Sequence, residues 1–423
     1  MPLLASMVLL GALTANFGQE IRQSEAAREV IAEIRVHGNL IVTNEEVLKI
    51  AGVNVGDPFA GTTIADVTSR LRDSKKFHEI QVLKRFASIS DPSKIVLILV
   101  VNEGAVRIDT PGLPGSEPRV VKRSALRNLM FMPILSAEDG YGLTYGARLA
   151  YAGAAGRQSR VSFPLTWGGT KQAGVELDRP FKHGPLSRVT TGVTVQRQKN
   201  PAFLENDDRR RLWGRAERAV GPLRAGTTLG WQHVSFAGAT DEIRSAGGDV
   251  SIDTRLDPLL PRNAVYGTAS WEHLAFTSGG TTNRTRLEGR GYVGLIGQNV
   301  LEVRAVREDA DRPLPPYLKS ILGGWSSLRG FKAGSFVGDT LVTGSAEIRV
   351  PLNSPLNVGK LGVSVFVDTG TAYDKGSHYS DQARHTGVGG SVWVTAAVFQ
   401  MSLSVAHGLK GETRVNFGGG VRF

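Results

Sequence analysis

One alternating pattern runs through most of the chain and constrains its fold more than any other feature. From about Tyr141 to Phe423, apolar residues alternate with polar or small ones, in segments separated by turn residues. One such segment reads Ala346, Glu347, Ile348, Arg349, Val350. Period-two alternation predicts strands with one apolar and one polar face. The segments are about ten residues long and about sixteen in number, as expected for a transmembrane antiparallel β-barrel.

Charge and composition help to separate this barrel from a soluble β-sandwich, whose strands also alternate. Arg and Glu occupy many of the polar positions, and a water-filled lumen accommodates them better than a packed core does. The net charge of +11 is spread along the chain, which argues against a nucleic-acid partner. Cysteine is absent, so disulfides and thiolate metal sites are excluded. After the first residues, no apolar run is long enough for a membrane helix.

The first residues resemble a secretory signal. Leu3, Leu4, Val8 and Leu9 belong to a short apolar core that is followed by small residues near Ala15. A short apolar core followed by small residues is typical of a cleaved export signal. We therefore expect a signal peptide over residues 1–19, and a polar spacer after it.

Residues 30–104 predict a small α+β domain with the order β-α-α-β-β. The first strand ends at the turn Gly38-Asn39, and Thr43 with Glu46 forms a capping box for the first helix. A second helix and two strands follow, the last of them from Ile95 to Val101. Residues 105–140, rich in Pro and Gly, are expected to form a junction whose basic patch is Arg119, Lys122, Arg123 and Arg127.

This segment resembles a polypeptide-transport-associated (POTRA) domain. The matching features are Gly38-Asn39, Gly52, Gly56-Asp57, Leu71 ahead of Phe77, and Val101-Asn102-Glu103. An unrelated α+β domain remains the alternative. A small sheet with an exposed edge can bind an extended peptide as an added strand, and His78 to Phe86 is the expected edge.

A long connection without alternation, from about Asp309 to Gly338, interrupts the strands. Connections of this length are usually functional. It contains Leu328, Arg329, Gly330 and Phe331. The alternation places Glu347 and Asp368 on the lumen faces of the next two strands, where the planar fork of Arg329 could pair with both. No nucleophile, phosphate-loop or zinc motif is present, so we predict no enzymatic activity, cofactor or metal site.

Four motifs resemble the BamA and TamA type of outer-membrane assembly factor and the related two-partner secretion transporters. They are LRGF at 328–331, AEIRVPL at 346–352, FVDTG from Phe366 to Gly370, and Asp253-Thr254-Arg255 with Pro258, Pro261 and Gly267. The resemblance implies a loop that folds back into the lumen, with Arg329 paired to Glu347 and Asp368. The chain departs from the family pattern in having one POTRA-like domain and no Pro-Gly pair between Val394 and Phe399.

The two ends of the barrel region suggest a lateral seam. Gly418, Gly419 and Gly420 follow one another in the last strand, which ends at Phe423 and resembles the C-terminal sorting strand of outer-membrane barrels. The expected first strand holds Gly140, Gly142 and Gly146. Glycine weakens a strand, although these glycines could equally fit a tight lumen or turn.

The sequence predicts a bacterial outer-membrane protein with its small domain in the periplasm. It would insert, assemble or translocate β-rich polypeptides, using a POTRA domain and a gated barrel. The expected partners are the lipid bilayer, unfolded clients, and periplasmic or inner-membrane proteins. An exporter of one dedicated substrate and a passive porin or surface antigen remain alternatives.

Overall fold

The structure of the chain is a computed structural model. It describes residues 29–421 except 40–41, 78, 88–90, 92, 103–105, 110–118, 123–128, 157–158, 182, 257–259, 353–358, 397–398 and 410. The predicted signal peptide at residues 1–19, Pro258 and Phe423 lie outside the described residues. Two compact units make up the chain, one mainly of residues 1–128 and one of residues 129–254, 265–290 and 301–423.

The N-terminal unit contains a three-stranded sheet and two helices in the predicted order. The elements are β1 (Val30–His37), α1 (Asn44–Ala51), α2 (Thr63–Asp73), β2 (Glu79–Phe86) and β3 (Lys94–Asn102). The strand order is β1-β3-β2, with β1 parallel and β2 antiparallel to the central β3. The order and arrangement of these elements fit the predicted POTRA-like domain.

Local sequence signals explain the boundaries of the first helix and its packing. The Thr43 side chain accepts a hydrogen bond from the Glu46 amide at the N-terminus of α1, and Gly52 ends the helix in the left-handed conformation at φ 63°. Val47 and Leu71 are fully buried against Leu97 of β3. Each such buried aliphatic side chain contributes about 1.5–3 kcal/mol to stability.

A short hairpin lies within the predicted junction. It pairs β4 (Val106–Asp109) with β5 (Arg119–Lys122). Arg123 and Arg127 lie outside the described residues, and so do the side chains of Arg119 and Lys122. The proposed basic patch therefore stays a prediction.

Sixteen strands close into a barrel, which confirms the predicted fold class. Eleven precede the long connection: β6 (Leu129–Glu138), β7 (Gly142–Ala152), β8 (Arg160–Gly168), β9 (Thr170–Pro180), β10 (Arg188–Lys199), β11 (Asn206–Val220), β12 (Leu223–Phe236), β13 (Ala239–Asp253), β14 (Ala264–Phe276), β15 (Thr281–Gly294) and β16 (Val300–Ala310). Five follow it: β19 (Thr340–Leu352), β20 (Gly359–Tyr373), β21 (His385–Ala396), β22 (Phe399–Gly408) and β23 (Thr413–Val421).

The barrel begins earlier than the sequence pattern indicated. Its first strand is β6, which lies inside the predicted junction, so the strand expected at Tyr141 is the second one, β7. The pattern failed because β6 is apolar on both faces: Phe131 and Leu135 are exposed on one, and the other carries Met132 and Ile134. Without a polar face, the alternation that marks the other strands is missing.

The two faces of β20 differ as the alternation predicts. Val363, Val365 and Val367 are 37%, 61% and 42% exposed on the outer face. Ser364 and Asp368 on the inner face are 3% and 2% exposed. The inner face is covered by the long connection between β16 and β19.

That connection has structure of its own, contrary to expectation. It contains a 3₁₀ turn over Pro316–Leu318 and a small hairpin of β17 (Ser320–Leu322) and β18 (Phe336–Gly338). We call residues 311–339 the lumen loop. Its Leu322 and Leu328 are fully buried and pack with Val306 and Leu341 of the barrel wall.

Separately, none of the helices among the described residues has the length and apolarity needed to cross a membrane.

Candidate functional site

Arg329 is held by two carboxylates of the barrel wall. Its Nε and Nη2 donate to the Oδ2 and Oδ1 atoms of Asp368, both at 2.8 Å, and its Nη1 donates to Glu347 Oε2 at 2.8 Å. Arg329 is 9% exposed, and the Asp368 carboxylate is almost completely buried. The structure thus brings together the three charged residues that the sequence motifs singled out.

The strands explain why these side chains converge. In the register of β19 and β20, Ser345 faces Asp368 and Glu347 faces Phe366, so all four side chains share the inner surface. The Phe366 ring lies under the Arg329 guanidinium, 3.3 Å from its Cζ to the ring centroid. Ser345 donates to Asp368 Oδ1 at 2.7 Å, which fixes the carboxylate from the other side. The guanidinium is therefore bound at its edge by carboxylates and at its face by an aromatic ring.

The neighbours of Arg329 in the motif pack against the wall. Phe331 contacts the rings of Phe336 and His385, with centroids 5.6 and 5.7 Å apart. Gly330 lies against the backbone of His407 and Gly408 in β22, and a Cβ at this position would overlap it. Motif residues thus reach β22 as well as β19 and β20.

Gly370 also permits a close approach of the lumen loop. A Cβ added at Gly370 would lie 3.2 Å from Leu322 Cδ1 of β17. The Gly of the FVDTG motif therefore leaves room for the small hairpin of the loop.

Two contacts of the lumen loop were missed by sequence reasoning. A Cβ added at Gly387 of β21 would overlap the carbonyl oxygen of Arg329, so only glycine lets the loop backbone lie so close. At Gly418 of β23, a Cβ would overlap the indole ring of Trp325. Trp325 stands beside the motif in the sequence, but no local pattern links it to a strand so far along the chain.

A second ionic cluster holds the other side of the loop. Glu288 of β15 is 7% exposed and pairs with three arginines of the wall, Arg286, Arg290 and Arg304. The Nη1 atom of Arg304 also donates to the carbonyl oxygen of Ser326 at 2.8 Å. The alternation placed these residues in the lumen, but it did not connect them to the loop.

The start of the loop is fixed near a polar cavity. Arg209 donates to the Tyr317 carbonyl oxygen at 2.7 Å, and the Tyr317 hydroxyl donates to Asp241 at 3.0 Å. Arg209 and Tyr317 line a lumen cavity of about 380 Å³, together with Arg211, Glu272 and Lys319. The cavity is polar and carries both signs of charge.

Asp311 forms the base of the lumen loop. Its carboxylate accepts hydrogen bonds from the backbone amide and side chain of Asn283 and from the Thr282 hydroxyl, at 2.8, 2.6 and 2.8 Å. The amide hydrogen bond from Asn283 is the main cause that lowers the pKa of Asp311 to about 2. The ionised carboxylate thus ties the loop to the end of β15.

The first and last strands meet in a short pairing. Among the described residues, β23 joins β6 through two register pairs, Gly419 with Ala137 and Gly420 with Ser136. By contrast, all of β12 from Leu223 to Phe236 is in register with β13. Three glycines in β23 thus fall at a junction that is much shorter than that of β12 with β13.

The lumen loop contacts both sides of this seam. Trp325 packs on Gly418 of β23, next to the paired glycines. On the other side, the Ala333 amide donates to Asp139 Oδ2 at 3.4 Å in the turn after β6. Gly140 in the same turn lies close to the Ala333 methyl group. The loop therefore bridges two strands that are joined directly by a short pairing among the described residues.

The outer edge of β2 is an open edge of the N-terminal sheet among the described residues. The start of β1 is covered by residues 56–59, whose backbone hydrogen-bonds to Glu29 and Ile31. Within the described residues, no strand pairs with the outer edge of β2. His78, the predicted start of this edge, lies outside them. An extended peptide can add to such an edge through main-chain hydrogen bonds.

Comparisons with known proteins bear on both units. A family model described as the Omp85 superfamily domain matches residues 140–423. BamA from Haemophilus ducreyi lacking POTRA domains 1–3 has a similar fold, with 13% identity, a TM-score of 0.61, and coverage of 93% of this chain and 84% of that chain. For CdiB from Escherichia coli, the identity is 14%, the TM-score 0.52, and the coverage 95% and 92%.

A curated relative matches a shorter stretch. The cell division protein DivIB of Paenibacillus polymyxa (strain E681) is 32% identical over 59 residues, which are 14% of this chain and 23% of that protein. The chain thus spans less than a quarter of that relative's length.

Proposed function

The chain belongs to the Omp85 superfamily of outer-membrane barrels, as its motifs indicated, and we propose that it helps to insert or translocate β-rich polypeptides at the outer membrane. The observation that carries this proposal is the seam between β6 and β23. Among the described residues, two register pairs join these strands, and the lumen loop bridges them from inside. A wall that is joined at one junction by a short pairing can open there without disturbing its longer strand pairs.

The opened edges would serve as templates for a client. Breaking the pairs at Gly419 and Gly420 exposes the unpaired backbone of β23 and of β6. A client strand can then pair with either edge through main-chain hydrogen bonds. Backbone pairing is independent of side-chain identity, so it suits clients that share strand structure and differ in sequence.

The outer edge of β2 would capture the client before insertion. Val82 on this strand points into the core, while Gln81 is exposed beside the free edge. An extended segment lying along β2 would extend the three-stranded sheet by one strand. Hydrophobic clients would be kept extended in this way.

In vivo photocrosslinking tests the capture step. A photoreactive residue at Gln81 should trap unfolded outer-membrane barrel proteins, whereas one at Asp66, exposed on α2, should not. Equal trapping from both positions would show that β2 has no special role. Insertion itself is tested with proteoliposomes that contain the full chain, to which urea-unfolded barrel protein is added. Folding no faster than in empty liposomes would contradict the proposal.

Export of one dedicated substrate is the second candidate. The polar cavity of about 380 Å³ beside the lumen loop supports it, because a polar lumen suits a passing polypeptide. Quantitative proteomics of a deletion strain separates the two candidates. Insertion predicts a broad loss of barrel proteins from the membrane, and export predicts the loss of one secreted protein.

A passive porin is less consistent with the lumen. The loop is tied to the wall at Arg329, Ser326 and Tyr317, and it occupies space that a steady conductance would need. Planar-bilayer recordings should therefore show little stable conductance.

A further inference from the structure

The outward face of β11 to β13 changes from polar to apolar at one level. Arg209 and Asp207 pair in the lumen, so the alternate positions of β11 point outward. We call the end of the barrel at which the lumen loop joins β16 and β19 the loop-bearing end. Counted from this end, the outward residues of β11 are Asp208, Arg210 and then Leu212. On β13 the same change follows Glu242 and Arg244, beyond which the outward residues are Ala246, Gly248, Val250 and Ile252. This level has the character of a membrane interface.

Two arginines at this level have free guanidinium groups. Arg210 and Arg244 are both exposed, and within the described residues neither has a hydrogen-bond or ion-pair partner. Their neighbours are engaged: Arg197 on the same outer face pairs with Asp208, and Arg209 pairs with Asp207. An unpaired cation that faces lipid is costly near the bilayer centre and tolerable at the interface, where an anion can reach it.

An aromatic ring lies between the two arginines. Trp231 of β12 is in register with Leu212 on one side and with Arg244 on the other. His233, the next outward residue, is in register with Arg210 and Glu242. Given two strand spacings and two residues along the strand, the Cα atoms of Arg210 and Arg244 are about 12 Å apart. Two long side chains at that separation can converge on one headgroup.

We propose that Arg210, Trp231 and Arg244 form a binding site for the phosphate-bearing headgroup of a lipid in the leaflet at the loop-bearing end. Each guanidinium offers a fork of N–H donors that matches a phosphate. The indole lies at the level where tryptophan anchors barrels in membranes. Leu212 and Leu229, both exposed below the arginines, provide the apolar surface for the acyl chains. Glu242 is the acidic neighbour that opposes binding.

Native mass spectrometry of the full chain in mild detergent tests the site, with phosphatidylglycerol as the probe. Each of Arg210→Gln and Arg244→Gln should weaken phosphatidylglycerol binding about fivefold, and the double variant about 25-fold. Arg218→Gln is the matched control: Arg218 is exposed on the outer face of β11 at its other end, where it donates to the Gly184 carbonyl oxygen. It should bind like the wild type. Glu242→Gln should bind more tightly.

Three results would overturn the site. In the first, the double variant retains wild-type affinity although its barrel is folded, as judged by heat-modifiability. In the second, the wild type binds diacylglycerol, which lacks the phosphate, as well as phosphatidylglycerol. In the third, inorganic phosphate alone displaces the lipid, which would mean that the acyl chains contribute nothing and that the arginines bind any free anion.

Discussion

Removing the Arg329 side chain should strongly destabilise the barrel. The variant Arg329→Ala deletes three charge-assisted hydrogen bonds of 2.8 Å and leaves Asp368, 2% exposed, without its cation. Breaking a buried ion pair by removing one partner costs about 3–5 kcal/mol. Arg329→Lys should cost less, because one charge-assisted hydrogen bond of about 1.5–3 kcal/mol can survive while the fork is lost.

The origin of this cost can be tested by a second substitution. Much of the loss in Arg329→Ala comes from the buried, unpaired carboxylate of Asp368. Adding Asp368→Asn removes that charge and should restore part of the stability. A double variant that is less stable than Arg329→Ala would contradict this origin.

Urea unfolding of the full chain in lipid vesicles, followed by tryptophan emission, measures these free energies. The matched control is Arg197→Ala, which removes an ion pair of similar geometry with Asp208, but one that is 61% exposed on the arginine side. An exposed pair contributes about 0–1 kcal/mol. If Arg329→Ala falls within the range of Arg197→Ala, the lumen loop is not held by its arginine and the reasoning is refuted.

Three further perturbations follow from the contacts of the loop. Gly387→Ala should cost about 1–3 kcal/mol in the same assay, because its methyl group would overlap the Arg329 carbonyl oxygen. Gly418→Ala should displace the Trp325 indole and raise hydrogen exchange, followed by mass spectrometry, in residues 413–420. Asp311 stabilises the protein above its ordinary pKa of 3.8 and loses that effect as the pH falls to about 2, so the stability difference between the wild type and Asp311→Asn should shrink over that interval.

Each of these perturbations has an internal control or a contradicting result. Gly214→Ala places its methyl group in ordinary contact, 3.9 Å from Thr191 Oγ1, and should be tolerated. If hydrogen exchange in residues 413–420 is unchanged in Gly418→Ala, the contact of Trp325 with Gly418 does not stabilise the seam. A stability difference for Asp311→Asn that grows on acidification would mean that its carboxylate is not bound in its ionised form.

The sequence predicted the barrel where each strand has one polar face. On β19 and β20 the alternation placed Glu347 and Asp368 in the lumen, where the structure has them beside Arg329. On β6 it failed, because Phe131 and Met132 are apolar on opposite faces. A strand that is apolar on both faces has no period for a sequence pattern to detect.

Contacts between distant segments were beyond the sequence pattern. Gly387 was not singled out in the sequence, and Gly418 was singled out only as part of the seam. The structure shows that Gly387 is required by the backbone of Arg329 and Gly418 by the ring of Trp325. The glycines of β23 were expected to weaken the strand. For Gly418 the structure supplies a second reason for glycine, because the Trp325 indole occupies the space of a side chain. This corresponds to the alternative explanation, in which the glycines fit a tight lumen.

The most direct test of the proposed function locks the seam with a disulfide. The chain has no cysteine, so Ser136→Cys with Gly420→Cys can be oxidised without competing thiols. A Cβ at Gly420 lies 3.4 Å from Ser136 Cβ, close to disulfide geometry. The control lock joins Ala225→Cys and Val250→Cys, a register pair of β12 and β13.

Client folding in proteoliposomes is then measured before and after reduction. The proposed mechanism predicts that the oxidised seam lock blocks catalysed folding, that a reducing agent restores it, and that the control lock has no effect. Full activity of the oxidised seam lock would contradict it, because the client would then fold without any opening between β6 and β23.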